Sequence, residues 1–251
     1  MNKKKIYFPP CGFGFWYQLG VLDSIEEKDI YLYGASAGSL ICLISLLNRE
    51  DREISKILNK CEVIQNDIFK KGIINYFNIY NYSSRFSEEI INQISEKYSE
   101  EMIKKKLQYI NIQVTEIKFE NRIFPYLESN FINPKDLKEL HELIIASCYI
   151  PLLSYFKSIF YYQYNNKYLV DGYFGKFQID FNKIDSKNYA TVIPCNNYRA
   201  FQMYNEGLKY SFDNKNVNKK LKFILIIIYN TIVDLIYLFF NYLCSKIKLK
   251  N

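Results

Sequence analysis

A chain of 251 residues that is 49% hydrophobic and 24% charged can bury a sizeable core and reads as one main domain. Its net charge of +7 is concentrated: Lys215 to Asn251 holds seven lysines against the single acid Asp234, and subtraction from 33 and 26 leaves 26 basic and 25 acidic residues for Met1 to Asn214. A body so near neutrality excludes a basic nucleic-acid-binding face, and six scattered cysteines without C-x-x-C spacing exclude a disulfide framework or zinc site, reading instead as reduced thiols of an intracellular protein.

In chain order, Lys3 to Phe8 predicts a buried strand, and Pro9-Pro10 with two glycines interrupts the apolar run in a way that disfavours a secretory signal. Phe15, Leu19, Leu22 and Ile25 have helical spacing. Ile30 to Tyr33 is a second strand, and the apolar run after Ser36 a second, buried helix. Two such units begin a parallel α/β sheet. Asp51 to Asn66 and Ser87 to Leu107 are amphipathic and predict surface helices that form a cap. Tyr109 to Ile117 is a β-branched strand, Pro134 to Cys148 a helix, and the aromatic runs around Asn165-Asn166 a hairpin. Ala190 to Cys195 supplies a last core strand.

The chemistry starts at Gly34-Ala35-Ser36-Ala37-Gly38, in a chain with only nine glycines. A strand, small-x-Ser-x-small and then a helix is the pattern of a nucleophile elbow, where the sharp turn tolerates no bulk on either side of the serine. The same residues also suit a tight turn with a capping serine. A nucleophilic serine needs a base, yet the one histidine, His141, precedes every later acid and falls on an expected helix surface. The remaining partner is a carboxylate. Asp171 ends an apolar strand before Gly172, among Leu169, Val170, Tyr173 and Phe174, where desolvation raises the pKa of an acid and makes it a better base. An ordinary Asp-Gly turn explains the same pair.

The ordered segments "CGFGFWYQLGVL", "GASAGSL", "ASCYIPLL" and "VDG" resemble the patatin-like phospholipases over about Ile6 to Pro194. The resemblance implies a three-layer α/β/α fold with a mostly parallel sheet, a Ser36 nucleophile with an Asp171 base, the motif glycines Gly34, Gly38 and Gly172, and no metal or other cofactor. It also implies that the loop Pro10 to Phe15 holds the oxyanion through N–H groups of Gly12, Phe13 and Gly14, although the family's basic loop residue is missing and Pro10 offers no donor.

Beyond residues 1–214, the segment 215–251 contains an apolar run flanked by Lys219, Lys220 and Lys222 and by Lys246, Lys248 and Lys250. As a helix, Lys222 to Lys246 would be about 35 Å long, enough for a bilayer core, with Asn230, Asp234, Tyr237 and Asn241 as one polar stripe. This predicts an intracellular, membrane-associated protein with a C-terminal helix that spans, lies on the surface or packs on the domain. The expected activity is hydrolysis of phospholipid or neutral-lipid esters, and the alternatives are a lipid-binding protein without turnover and an acyltransferase.

Overall fold

The computed structural model describes residues 4–25, 30–72, 78–119, 125–154, 156, 158, 160–174, 182–184, 186–191 and 197–210. The expected C-terminal helix and positions 192–195 of the expected last core strand lie outside them. No helix among the described residues is long and apolar enough to cross a membrane.

Mixed α/β architecture with a mostly parallel central sheet emerges as expected. Strand β1 (Lys4–Phe8) pairs in parallel with β2 (Ile30–Ala35), and β2 pairs in parallel with β3 (Ile110–Lys118). The short β7 (Asn182–Lys183) joins the far side of β1, also in parallel. Three strands are antiparallel: β4 (Tyr126–Ile132) and β6 (Lys167–Val170) on β3, and β5 (Tyr162–Tyr164) on β6. The β5–β6 hairpin turns at Asn165 and Asn166, both at positive φ (46° and 60°), the left-handed pair that a tight hairpin needs and asparagine tolerates. Strand β4 lacks a clean apolar alternation and is half-exposed throughout, which is why its sequence did not announce it.

Side-chain alternation divides the sheet. Ile6, Phe8, Leu32, Ile112 and Val114 share one face, and α2 (Ala37–Ile44) lies on it. Tyr7, Tyr33 and Phe131 share the other, with edge-on rings 6.1 and 5.2 Å from Phe131. The first helix, α1 (Phe15–Ser24), packs against both α2 and α7 (Asn197–Leu208).

The two expected cap helices become three. Helix α3 (Ile54–Lys70) buries Ile54, Ile57, Leu58, Ile64 and Ile68, and α4 (Ile79–Lys97) buries Tyr82, Phe86, Ile90 and Ile94, each at the spacing of one helical face. A separate α5 (Glu100–Leu107) starts where Ser99 accepts a hydrogen bond from the Met102 N–H, so the expected continuous Ser87 to Leu107 helix is cut at Tyr98-Ser99. Helix α6 runs Leu137–Ser147 and begins three residues after Pro134, because the Asp136 carboxylate accepts the Glu139 N–H at 2.7 Å and caps it.

One buried ion pair fastens the periphery. Arg52, beyond α2, donates to Asp23 of α1 at 2.5 Å with both side chains about 4% exposed, and Tyr204 of α7 donates to the second Asp23 oxygen at 2.8 Å. Removing one partner leaves a buried charge uncompensated. Arg52→Ala therefore lowers the unfolding free energy by about 3 to 5 kcal/mol, and Arg52→Ala/Asp23→Ala loses less than the sum of the two single losses, both measurable by urea denaturation.

Candidate active site

Strands β2 and β6 occupy successive positions along one edge of β3 and run toward each other. Ala35, the last residue of β2, pairs with Gln113, while Val170, the last residue of β6, pairs with Thr115. Ser36 and Asp171 are the residues that follow those two ends, so the sheet delivers them to one place from 135 positions apart in sequence. The approach is close enough that a β-carbon added to Gly172 would stand 2.8 Å from Gln113 O and 3.0 Å from Ala35 Cβ.

Ser36 sits at φ 51°, ψ −126°, a left-handed backbone that costs a non-glycine residue roughly 1–3 kcal/mol. Three hydrogen bonds offset the strain. Its N–H donates to Ser147 Oγ (2.8 Å), and its carbonyl accepts from the Ser39 N–H (2.8 Å) and the Ser39 hydroxyl (2.5 Å). The flanking glycines are required by contact: an added β-carbon would come within 2.4 Å of Gly38 O at Gly34 and within 2.0 Å of Phe8 O at Gly38. Both elbow glycines thus let β1, β2 and α2 meet backbone to backbone.

Asp171 is 1% exposed. Its N–H donates to Tyr149 O at 2.9 Å, and its Oδ1 accepts the Tyr173 N–H at 2.7 Å. Oδ2 accepts no hydrogen bond of regular geometry among the described residues. Burial pushes the carboxyl up to about 7, against the smaller downward pull of the Ser36 hydroxyl and the Tyr173 N–H. The hydroxyl is thus near enough to act on the carboxylate without a regular hydrogen bond to it.

Gln113 and Ser147 tie the two halves together, and neither had a role assigned from sequence. The fully buried Gln113 amide donates to Gly172 O (2.9 Å) and Ser129 Oγ (2.7 Å) and accepts from the Tyr7 hydroxyl (2.7 Å). The Gln113 carbonyl accepts from Ser147 Oγ (2.6 Å), the same hydroxyl that receives the Ser36 N–H. The available signal was a glutamine at the centre of the β-branched strand expected over Tyr109 to Ile117.

Of the expected oxyanion loop, Gly12 (φ 55°) and Phe13 line the same cavity as Ser36. The Phe13 N–H donates to Thr191 O (2.8 Å) and the Gly14 N–H to Cys11 O (3.1 Å). Gly14 faces away, packed so that a β-carbon would meet Tyr189 O at 2.1 Å. Among the described residues the N–H groups of Gly12 and Ala37 have no acceptor, and both residues line the cavity.

That cavity, about 70 Å³, is walled by Phe15 and Trp16 of α1, Leu40 of α2, Ile64 of α3 and Phe86 of α4. The cap helices expected at the surface form its roof. Cys148 also lines it, but burial pushes its thiol far up and keeps it protonated, which makes it inert as a nucleophile. His141 is half-buried between α4 and α6, Nδ1 2.9 Å from Ser87 Oγ, and does not line the cavity. It was expected on a helix surface; the α4–α6 packing encloses it, and burial lowers its pKa.

A mixed α/β sheet that carries a strained serine elbow beside a buried carboxylate defines a class of serine-centred α/β proteins. The model of one family, Patatin-like phospholipase, matches residues 11–177, about two-thirds of the chain. The chain belongs to that family, whose members act on lipids as acyl hydrolases. No curated protein and no solved structure matches it.

The Asp171 carboxyl has a second, thermodynamic consequence. With an ordinary value near 3.8 when unfolded and about 7 when folded, the native chain holds more protons than the unfolded chain between those limits. Stability therefore falls as pH rises from about 4 to about 7 at this group. Urea midpoints across that window should show the decline, and Asp171→Asn should flatten it.

Proposed function

We propose that this protein hydrolyses carboxylic esters of lipids, phospholipid or neutral, through Ser36 and Asp171. The observation that carries the reading is the meeting of a strained serine, which lines an apolar cavity, with a buried carboxylate whose Oδ2 accepts no regular hydrogen bond among the described residues. Ser36 Oγ attacks the acyl carbonyl as Asp171 Oδ2 takes its proton. The tetrahedral oxyanion is held by the N–H groups of Gly12 and Ala37, the latter at the first position of α2 where the helix dipole adds positive potential. Phe13 and Gly14, whose N–H groups hold Thr191 and Cys11, keep the loop in shape. Collapse expels the alcohol with the proton from Asp171; water, deprotonated by the same carboxylate, then attacks the acyl-enzyme, and the acid leaves as Ser36 Oγ takes that proton back.

A carboxylate with a pKa near 7 suits this task, because general-base efficiency peaks when the pKa lies close to the working pH. The occupied Phe13 and Gly14 N–H groups favour a second reading, a lipid-binding protein of the same fold with little turnover. Intracellular membrane association through residues 215–251 is part of the proposal and rests on the lysine-flanked apolar run.

Labelling by a fluorophosphonate probe decides between the readings: the chain should label, and Ser36→Ala should not. Ser36→Ala and Asp171→Asn should each lower kcat about 10³-fold or more with the fold intact, while His141→Ala stays within a few-fold of the parent. The kcat/KM of the parent should rise with pH through about 7 as Asp171 ionises. Excess chelator should leave the rate unchanged, since neither step calls on a metal.

A further inference from the structure

We propose that the loop following Ile150 is a docking surface for a phospholipid bilayer, placed at the mouth of the cavity; the proposal rests on the hydrolase reading above. After Cys148 and Ile150, which line the cavity, the chain turns outward. Leu152 is 71% exposed and stands at φ 69°. A β-carbon is disfavoured in that backbone region and a leucine side chain is disfavoured in water, so this position carries two penalties that no packing within the described protein offsets. Leu153, Phe156 and Phe160 are also exposed.

The loop is anchored while its apolar side chains face out. Leu153 O accepts the Ile79 N–H at 2.9 Å, Ile150 N–H donates to Ser154 Oγ at 3.1 Å, and Phe156 N–H donates to the Tyr149 hydroxyl at 3.2 Å. The Phe156 ring stacks on Tyr80 with centroids 4.8 Å apart. An anchored presentation of leucine and phenylalanine lowers the ordering cost of insertion into a lipid surface.

Continuity with the cavity selects the occupant. Ile79 and Ile150 belong both to the cavity lining and to the loop's anchor, and the Asp171 N–H bonded to Tyr149 O fixes the dyad's carboxylate to the base of the same loop. The turn after Asp171 adds the exposed Tyr173 and Phe174. A lipid must leave its bilayer and reach Ser36 without crossing water, and an exposed apolar patch whose anchoring residues Ile79 and Ile150 line the cavity provides the path; a protein seated there would block it. Ile150 to Phe160 contains one charged residue, Lys157, so this docking is driven by apolar insertion and persists at high salt, unlike attraction through a lysine-rich tail.

The test uses the full chain carrying Ser36→Ala, so that no lipid is consumed, with Leu152→Trp in one variant and Met102→Trp in another. Met102 is exposed on α5, which leads into the start of β3 and so lies at the opposite end of the sheet from Ser36. Trp16 is common to all variants, and the Ser36→Ala parent sets its contribution. With phosphatidylcholine vesicles bearing brominated chains in high salt, the added fluorescence of Leu152→Trp should shift to the blue and be quenched several-fold, and that of Met102→Trp should not change. No quenching at Leu152→Trp, as when a protein or the C-terminal segment covers the loop, overturns the proposal, and so does equal quenching at both positions. With Ser36 intact, Leu152→Ser/Leu153→Ser/Phe156→Ser should raise the apparent KM on vesicles several-fold and leave kcat/KM on a soluble butyrate ester unchanged; a parallel loss on both substrates overturns it. Quenching requires no turnover, so a chain that docks at Leu152 but hydrolyses nothing removes the hydrolase reading alone.

Discussion

Everything at the candidate site depends on the edge of β3, where two strands arrive from opposite directions and stop short of each other. Parallel β2 ends against Gln113 and antiparallel β6 ends against Thr115. Because the ladder register is set by side chains buried on one sheet face, a slip by one residue would turn Leu32 and Ile112 outward and displace the elbow at the same time. The placement of Ser36 and Asp171 is thus held by the energetics of the core, and the residues between them only refine it. Gln113 does that refining: its carbonyl reaches the serine turn through Ser147, and its side-chain amide reaches the carbonyl of the residue after Asp171.

Burial on the α2 side of the sheet also sets the chemistry. Phe15, Trp16, Leu40, Ile64 and Phe86 line the cavity with Ser36, and the burial of Asp171 behind it lifts that carboxyl to about 7. Burial likewise raises the Cys148 thiol and keeps it protonated. His141 is engaged with Ser87 in the packing of α4 against α6, with its pKa lowered by the same desolvation.

Much of this was legible in the sequence because it is written in local rules. Gly34, Ser36 and Gly38 announce a turn that tolerates no bulk, Asn165-Asn166 announces a hairpin, and the apolar periodicity of Ile54 to Ile68 announces a helix with one buried face. What stayed hidden depends on partners distant in sequence. The split between α4 and α5 turns on one Ser99 cap, the enclosure of His141 on a neighbouring helix, and the engagement of the Phe13 N–H on Thr191, a residue 178 positions later. Apolar neighbours made Asp171 a candidate that an Asp-Gly turn explained equally well, and only the family resemblance paired it with Ser36; their meeting in space follows from the head-on approach of β2 and β6, which no local pattern encodes.

The loop expected to hold an oxyanion shows how long-range pairing narrows a chemical choice. From sequence, three consecutive N–H groups at Gly12, Phe13 and Gly14 were equivalent. Pairing the loop in parallel with Thr191 consumes the Phe13 donor, and the turn that starts α1 consumes the Gly14 donor. Positive φ at Gly12 follows from that geometry, because the chain must reverse out of β1 within a few residues to begin α1. Among the described residues that line the cavity with Ser36, the N–H groups left without an acceptor are those of Gly12, in the loop after β1, and Ala37, in the first turn of α2. In the proposed mechanism two donors on separate elements bracket the developing charge, and their spacing is set by the contact of Gly38 with Phe8 that joins those same two elements.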